Sequence, residues 1–260
     1  MFLYPPESAA LIDSHCHLDA AEFAADRDAV VADAYAAGVR QIVVPAVSAA
    51  SWSTTCDMVE RYGCQIALGM HPCYSAQHLD VHVEQLAQWL MQHRPCAVGE
   101  IGLDGFQPGL DWVRQETLFA AQLRLARQYD LPVLLHIRHA QDTVLKHLRR
   151  IPVRGGIAHA FNGSLQQAQQ FIALGFKLGF GGAMTYDGSQ RIRSLARDLP
   201  LSALVLESDA PDMPPSWAQG VRNAPAVVAR YAQVLAVLRG ISVAEIVAAT
   251  RANLMDVLGI

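Results

Sequence analysis

The 260-residue sequence has no Cys-x-x-Cys pair, and its five cysteines, Cys16, Cys56, Cys64, Cys73 and Cys96, are odd in number. That fits neither a zinc ribbon nor a disulfide framework, so a reducing compartment is expected. Nowhere does an apolar run approach the length of a membrane span. The stretch from Met1 to Glu7 holds two prolines and an acid where a secretion signal would need a basic region and a long apolar one. These absences predict a soluble, cytoplasmic protein with no membrane partner. Excess positive charge is missing too. With a formal net charge of −4, the whole molecule has no electrostatic reason to bind nucleic acid, and any phosphate recognition must come from local cations or bound metal ions. There is no interdomain linker, low-complexity segment or fixed-period repeat, which favours one domain over residues 1–260 and excludes a solenoid. No obligate protein partner is evident.

What is present is a large apolar fraction, 52% hydrophobic against 17% charged, enough for a sizeable core. It is arranged as an alternation. Leu11-Ile12 opens a strand that ends in His15-Cys16-His17. Helical spacing over Arg27 to Gly38 follows, then a β-branched run over Gln41 to Val47, a helix over Trp52 to Tyr62, and a strand over Gln65 to Met70. The pattern continues with a helix over Val81 to His93, strand Cys96 to Glu100, helix Trp112 to Tyr129, strand Leu131 to His136 and helix Ala140 to Arg149. Strand Gly155 to His159, helix Ser164 to Leu174, strand Phe176 to Gly182, helix Ser189 to Leu199 and strand Ala203 to Asp209 complete it, before helices over Ala226 to Leu238 and Val243 to Leu258. Eight strands each followed by a helix predict parallel pairing and a TIM-type (β/α)8 barrel, for which about 250 residues is usual. An open doubly wound sheet would carry a glycine-rich phosphate loop after its first strand, and here that place holds His15-Cys16-His17.

The strand ends share a chemistry. They carry His15, His17, His71, Glu100, His136, His159 and Asp209. Residues two apart on a strand face the same side, so His15 and His17 can share one ion. A barrel gathers all eight strand ends at one rim, where imidazoles and carboxylates form a donor set for divalent cations. Any one of these histidines could instead be an ordinary polar cap. Asp19 and Asp104 follow strand ends and could either orient ligand imidazoles or cap the next helix. His78, His82, His93 and His147 lie off the rim and are read as packing or surface residues.

Six motifs carry a resemblance covering nearly the whole chain: His15-x-His17-x-Asp19, Gly69-Met70-His71-Pro72, Gly99-Glu100-Ile101-Gly102-Leu103-Asp104, His136-x-Arg138, His159-x-Phe161-x-Gly163-Ser164 and Glu207-Ser208-Asp209-Ala210-Pro211. Together they resemble the TatD-like metal-dependent hydrolases, a deoxyribonuclease family of the amidohydrolase superfamily. The resemblance implies a barrel enzyme with two divalent metal ions (zinc, manganese or magnesium). Glu100 bridges them, His15, His17 and Asp209 hold one, and His136 and His159 hold the other. Departures lie outside that set: Ile137 stands where relatives often have a small polar residue, Ser208 replaces a common threonine, and Asn223-Ala224-Pro225 lacks an acid at its centre.

Such a pair of ions, about 3.5–4 Å apart, clamps a phosphodiester and lowers the pKa of a shared water. Asp209 then suits the role of proton acceptor, with Glu100 as the other catalytic residue, while Arg138 and His71 could bind the substrate phosphate. Arg138 could equally be a solvated loop charge. The expected activity is hydrolysis of DNA ends or another phosphodiester. Hydrolysis of an amide, ester or lactone, or a silent metal-binding role, are the alternatives.

Overall fold

The structure, a computed structural model, describes residues 10–260. The stretch from Met1 to Glu7 lies outside them. Eight strands are present: β1 (Leu11–Asp13), β2 (Val39–Pro45), β3 (Gln65–Leu68), β4 (Ala97–Asp104), β5 (Val133–Arg138), β6 (Gly156–Ala158), β7 (Phe176–Phe180) and β8 (Leu204–Leu206). They pair in parallel in sequence order. Between them run α1 (Arg27–Ala36), α2 (Trp52–Tyr62), α3 (Val81–His93), α4 (Trp112–Gln128), α5 (Gln141–Arg150), α6 (Leu165–Ala173) and α7 (Gln190–Asp198), with α8 (Val228–Arg239) and α9 (Val243–Leu258) after β8. This is the expected TIM-type barrel, nearly closed. At the β8–β1 seam Ser14 N–H donates to the Leu206 carbonyl at 3.0 Å and Asp209 N–H to the His15 carbonyl at 2.9 Å. Among the described residues no single helix is long and apolar enough to cross a membrane.

Alternation along the strands builds two apolar layers. Outward residues such as Val44, Leu68, Val98 and Leu135 pack under the helices with Phe119, Phe171 and Tyr231. Inward residues Ile12, Val43, Ala67, Ala97, Leu134, Ile157 and Val205 meet Leu254, Val257 and Leu258 of α9. Since these inward residues precede the rim residues along the chain, α9 seals the end of the barrel opposite the rim that carries the chemistry. Asn253 fastens it by donating to the carbonyls of Leu201 and Leu204, both at 2.8 Å.

Several boundaries differ from the sequence expectation. β1 stops at Asp13, so His15 and His17 follow the strand instead of ending it. β4 runs on to Asp104, which puts Glu100 inside the strand. The pairing of β4 with β5 shifts between Val98 and Ile101, a bulge of the kind that re-aims a side chain. A Cβ at Gly99 would come within 2.6 Å of Leu134 Cβ, so this kinked stretch lies hard against β5. β5 reaches Arg138, whereas β8 ends at Leu206 and leaves Glu207 and Asp209 in the following loop.

The seam also depends on Asp13, which is fully buried. Its Oδ1 accepts from the backbone N–H of His15 at 3.2 Å and of Ser208 at 2.9 Å. Removing it in Asp13→Ala strands two buried donors, so stability should fall by about 1–3 kcal/mol. Urea unfolding reads this as a lower midpoint at unchanged slope; an unchanged midpoint would mean that the seam holds without Asp13.

Candidate metal centre

The rim assembles around one carboxylate. Glu100 is 1% exposed, and its two oxygens face different sides. Oε2 lies 3.1 Å from His15 Nε2 and 3.4 Å from His17 Nε2. Oε1 lies 3.0 Å from His159 Nε2, 3.3 Å from His136 Nδ1 and 3.3 Å from His71 Nε2. Asp209 Oδ1 approaches from the seam, 3.7 Å from His15 Nε2 and 3.8 Å from His17 Nε2. All seven side chains singled out at the strand ends, from six separate elements, thus converge on one place.

Outer contacts decide which nitrogen of each ring faces inward. His17 Nδ1 lies 3.2 Å from the Pro45 carbonyl, which can only accept, so Nε2 offers its lone pair to the centre. His136 Nε2 is held by Asp104 Oδ2 at 2.9 Å, which turns Nδ1 inward. Asp104 therefore does orient a rim imidazole. Asp19 instead accepts from the Thr55 hydroxyl at 2.5 Å. His71 is arranged the other way: its Nδ1 accepts from Cys73 N–H at 3.1 Å, so the hydrogen sits on Nε2 and points at the centre as a donor.

The electrostatics of this cluster fit cation binding. Burial opposes ionisation of Glu100, but the surrounding His71, His15 and His159 hold its carboxyl well below the ordinary range. Burial lowers His15 to about 3 and His71 to about 4. Burial would lower His17 and His159 as well, yet Glu100 outweighs it and pushes them up to about 9 and about 10. Glu100 Oε1 and the Nδ1 atoms of His15 and His159 are buried without a hydrogen-bond partner. Donor atoms of His15, His17 and Glu100, of His15, His159 and Asp209, and of Glu100, His136 and His159 each lie within 4.8 Å of one another. A fourth group, His71 and His136 with Cys73, is equally compact, but burial and Asp104 push the Cys73 thiol up to about 12, away from thiolate.

Two acids near the rim had no role assigned from sequence. Glu207 is buried, with Oε1 3.8 Å from His159 Nδ1, and burial raises its carboxyl to about 8. It accepts from the backbone N–H of Ala160, so it holds the loop that carries His159. A Cβ at Gly179 would stand 2.0 Å from Glu207 Oε2; only glycine leaves room for this acid. Asp13 is the other. In sequence both sit between an apolar strand and the first rim residue, and that position is their only signal.

A cavity of about 880 Å³ opens over the centre, with His17, His71, Glu100, His136, His159 and Asp209 on its floor. Arg138 is on its wall, its guanidinium 3.7 Å from the centroid of the Phe106 ring. Stacking on that ring holds an exposed arginine in one orientation.

Comparison with known proteins agrees with this geometry. Residues 12–259 match the family model for TatD related DNase. The metal-dependent hydrolase YjjV of Escherichia coli is 45% identical over 233 residues, covering 88% of this chain and 90% of the relative. Its crystal structure superposes with a TM-score of 0.93 over 97% of this chain and 99% of that one. The 3'-5' ssDNA/RNA exonuclease TatD of Shigella flexneri is 30% identical over 261 residues, covering 96% of this chain and 99% of the relative.

Proposed function

We propose, for a chain that belongs to the TatD related DNase family and is a metal-dependent hydrolase, that it cleaves phosphodiester bonds at the ends of DNA strands in the cytoplasm, as a single barrel domain. The observation that carries this reading is the division of Glu100, one oxygen towards His15 and His17 and the other towards His136 and His159. One ion would be held by His15, His17 and Asp209, a second by His136 and His159, with Glu100 bridging. Two divalent ions there, zinc, manganese or magnesium, would polarise the phosphorus and acidify a water.

The chain's own groups supply the rest. Asp209 Oδ1 lies at the centre, 3.7 Å from His15 Nε2 and 3.8 Å from His17 Nε2, within reach of a water held there. Asp209 takes one proton from the attacking water as the new P–O bond forms. It returns that proton to the alkoxide that leaves when the old P–O bond breaks. His71 Nε2–H donates to a phosphate oxygen, and Arg138 pairs with the same group through its fork. A strand end reaches a rim site more easily than an intact duplex does, and the exonuclease name of the 30% identical relative supports the same direction.

The test uses purified protein, chelated and then restored with single metals, on phosphodiester, phosphomonoester, amide, ester and lactone substrates. A short single strand should be cut faster than circular duplex DNA. With one to three phosphates contacted, the log–log salt slope should be no steeper than about −2. Equal rates on the circle would overturn end-directed action. Turnover of an amide, ester or lactone with no phosphodiester cleavage would replace the reading with a carbonyl hydrolase.

A further inference from the structure

Resting on the phosphodiester reading, we propose that Arg191 and Arg138 form a two-point phosphate track, in which Arg191 holds the phosphate next to the scissile one on a single-stranded nucleic acid. Both arginines line the cavity above the metal centre. Arg191 lies in the first turn of α7 and donates from Nη2 to Asn162 Oδ1 at 2.5 Å and, longer, to the Asn162 carbonyl at 3.4 Å. Asn162 follows His159 by three residues, so this contact sets Arg191 against the loop that delivers a floor histidine.

The partners of the two arginines are the second observation. Near Arg191 on the same helix, Arg193 approaches Asp187 at 3.8 Å and Arg197 is bound to Asp198 at 2.8 Å. Arg191 has instead a neutral amide, and Arg138 a neutral aromatic face. Among the described residues neither has a carboxylate within ion-pair distance, so both charges remain available to an anion. Outside the floor, the cavity is lined by one further acid, Asp212, after β8. In a molecule of net charge −4, such local cations are what a phosphate chain can follow. A volume of about 880 Å³ is near the top of the range for small-molecule clefts, about 300–1,000 Å³, and leaves room beyond one reacting group.

The experiment compares wild type, Arg191→Ala and Arg191→Lys, all metal-replete, on a tetranucleotide and on bis(p-nitrophenyl) phosphate, which has a single phosphate. In Arg191→Ala, KM for the tetranucleotide should rise about tenfold with kcat little changed, and the change on the single-phosphate diester should be far smaller. The salt slope of the tetranucleotide KM should become shallower by about 0.7–1, the contribution of one phosphate. Arg191→Lys should restore most of that slope. If wild type cleaves both substrates and Arg191→Ala leaves the tetranucleotide unaffected, or loses equally on both, the track is overturned while the phosphodiester reading stands. If wild type cleaves neither, the phosphodiester reading falls and the track falls with it.

Discussion

Asp209→Asn is expected to fold, to keep much of its metal and to lose about a hundredfold or more of its turnover, the size of effect associated with a positioned general base. The residue is held for its task by the backbone. Its φ is +53°, unusual for anything but glycine, and its N–H is tied to the His15 carbonyl at 2.9 Å. An amide preserves the volume and one ligating oxygen, so the shape survives and proton acceptance does not. Circular dichroism checks the fold, elemental analysis the metal, and initial rates on a short single strand the turnover. Near-normal turnover in the metal-replete variant would move the base to another group.

Glu100→Ala should have the larger effect on metal content. Its two oxygens face different halves of the centre, and it is buried among five imidazoles. If Glu100 bridges two ions as proposed, losing it would take a ligand from each and leave the imidazoles facing one another without that negative charge. Loss of an outer partner alone costs roughly 10–100-fold in metal affinity, so loss of a shared ligand should exceed that. His71→Ala is the comparison, because His71 faces the centre as a donor and should leave the metal largely in place while weakening substrate use. Elemental analysis of wild type and the two variants decides it. Equal metal in wild type and Glu100→Ala would remove the bridging role, and greater loss in His71→Ala would make His71 a ligand.

The barrel and the convergence of its rim were readable because both follow from repetition. Apolar runs such as Gln65-Ile66-Ala67-Leu68 announce strands buried on both faces, and a histidine or acid at the end of six of the eight runs announces the rim. The exact reach of strands was not readable. His15 and His17 face the same centre although β1 has ended before them, because the loop, not strand pleat, turns them inward. Glu100 sits within β4, aimed by a register shift that no apolar pattern encodes. Contacts between distant residues were largely hidden: the stacking of Arg138 on Phe106 and the burial of Glu207 against Gly179 arise only when the strands assemble, and for Asp104, read as a possible imidazole partner, the choice of His136 does too. Asp19 shows the converse, since a position that suited an imidazole partner is engaged by Thr55.

The placement of α9 bears on when the molecule becomes competent during its own synthesis. Its Leu254, Val257 and Leu258 complete an apolar floor shared by inward residues of seven strands, all of which leave the ribosome earlier. Domains generally fold as units as they emerge. Until this helix is released, a nascent barrel has an open, wettable base under strands that must hold Glu100 and its imidazoles within a few ångströms of one another. A chain stalled before Val243 is therefore expected to carry the rim histidines on strands whose apolar inner layer is uncovered.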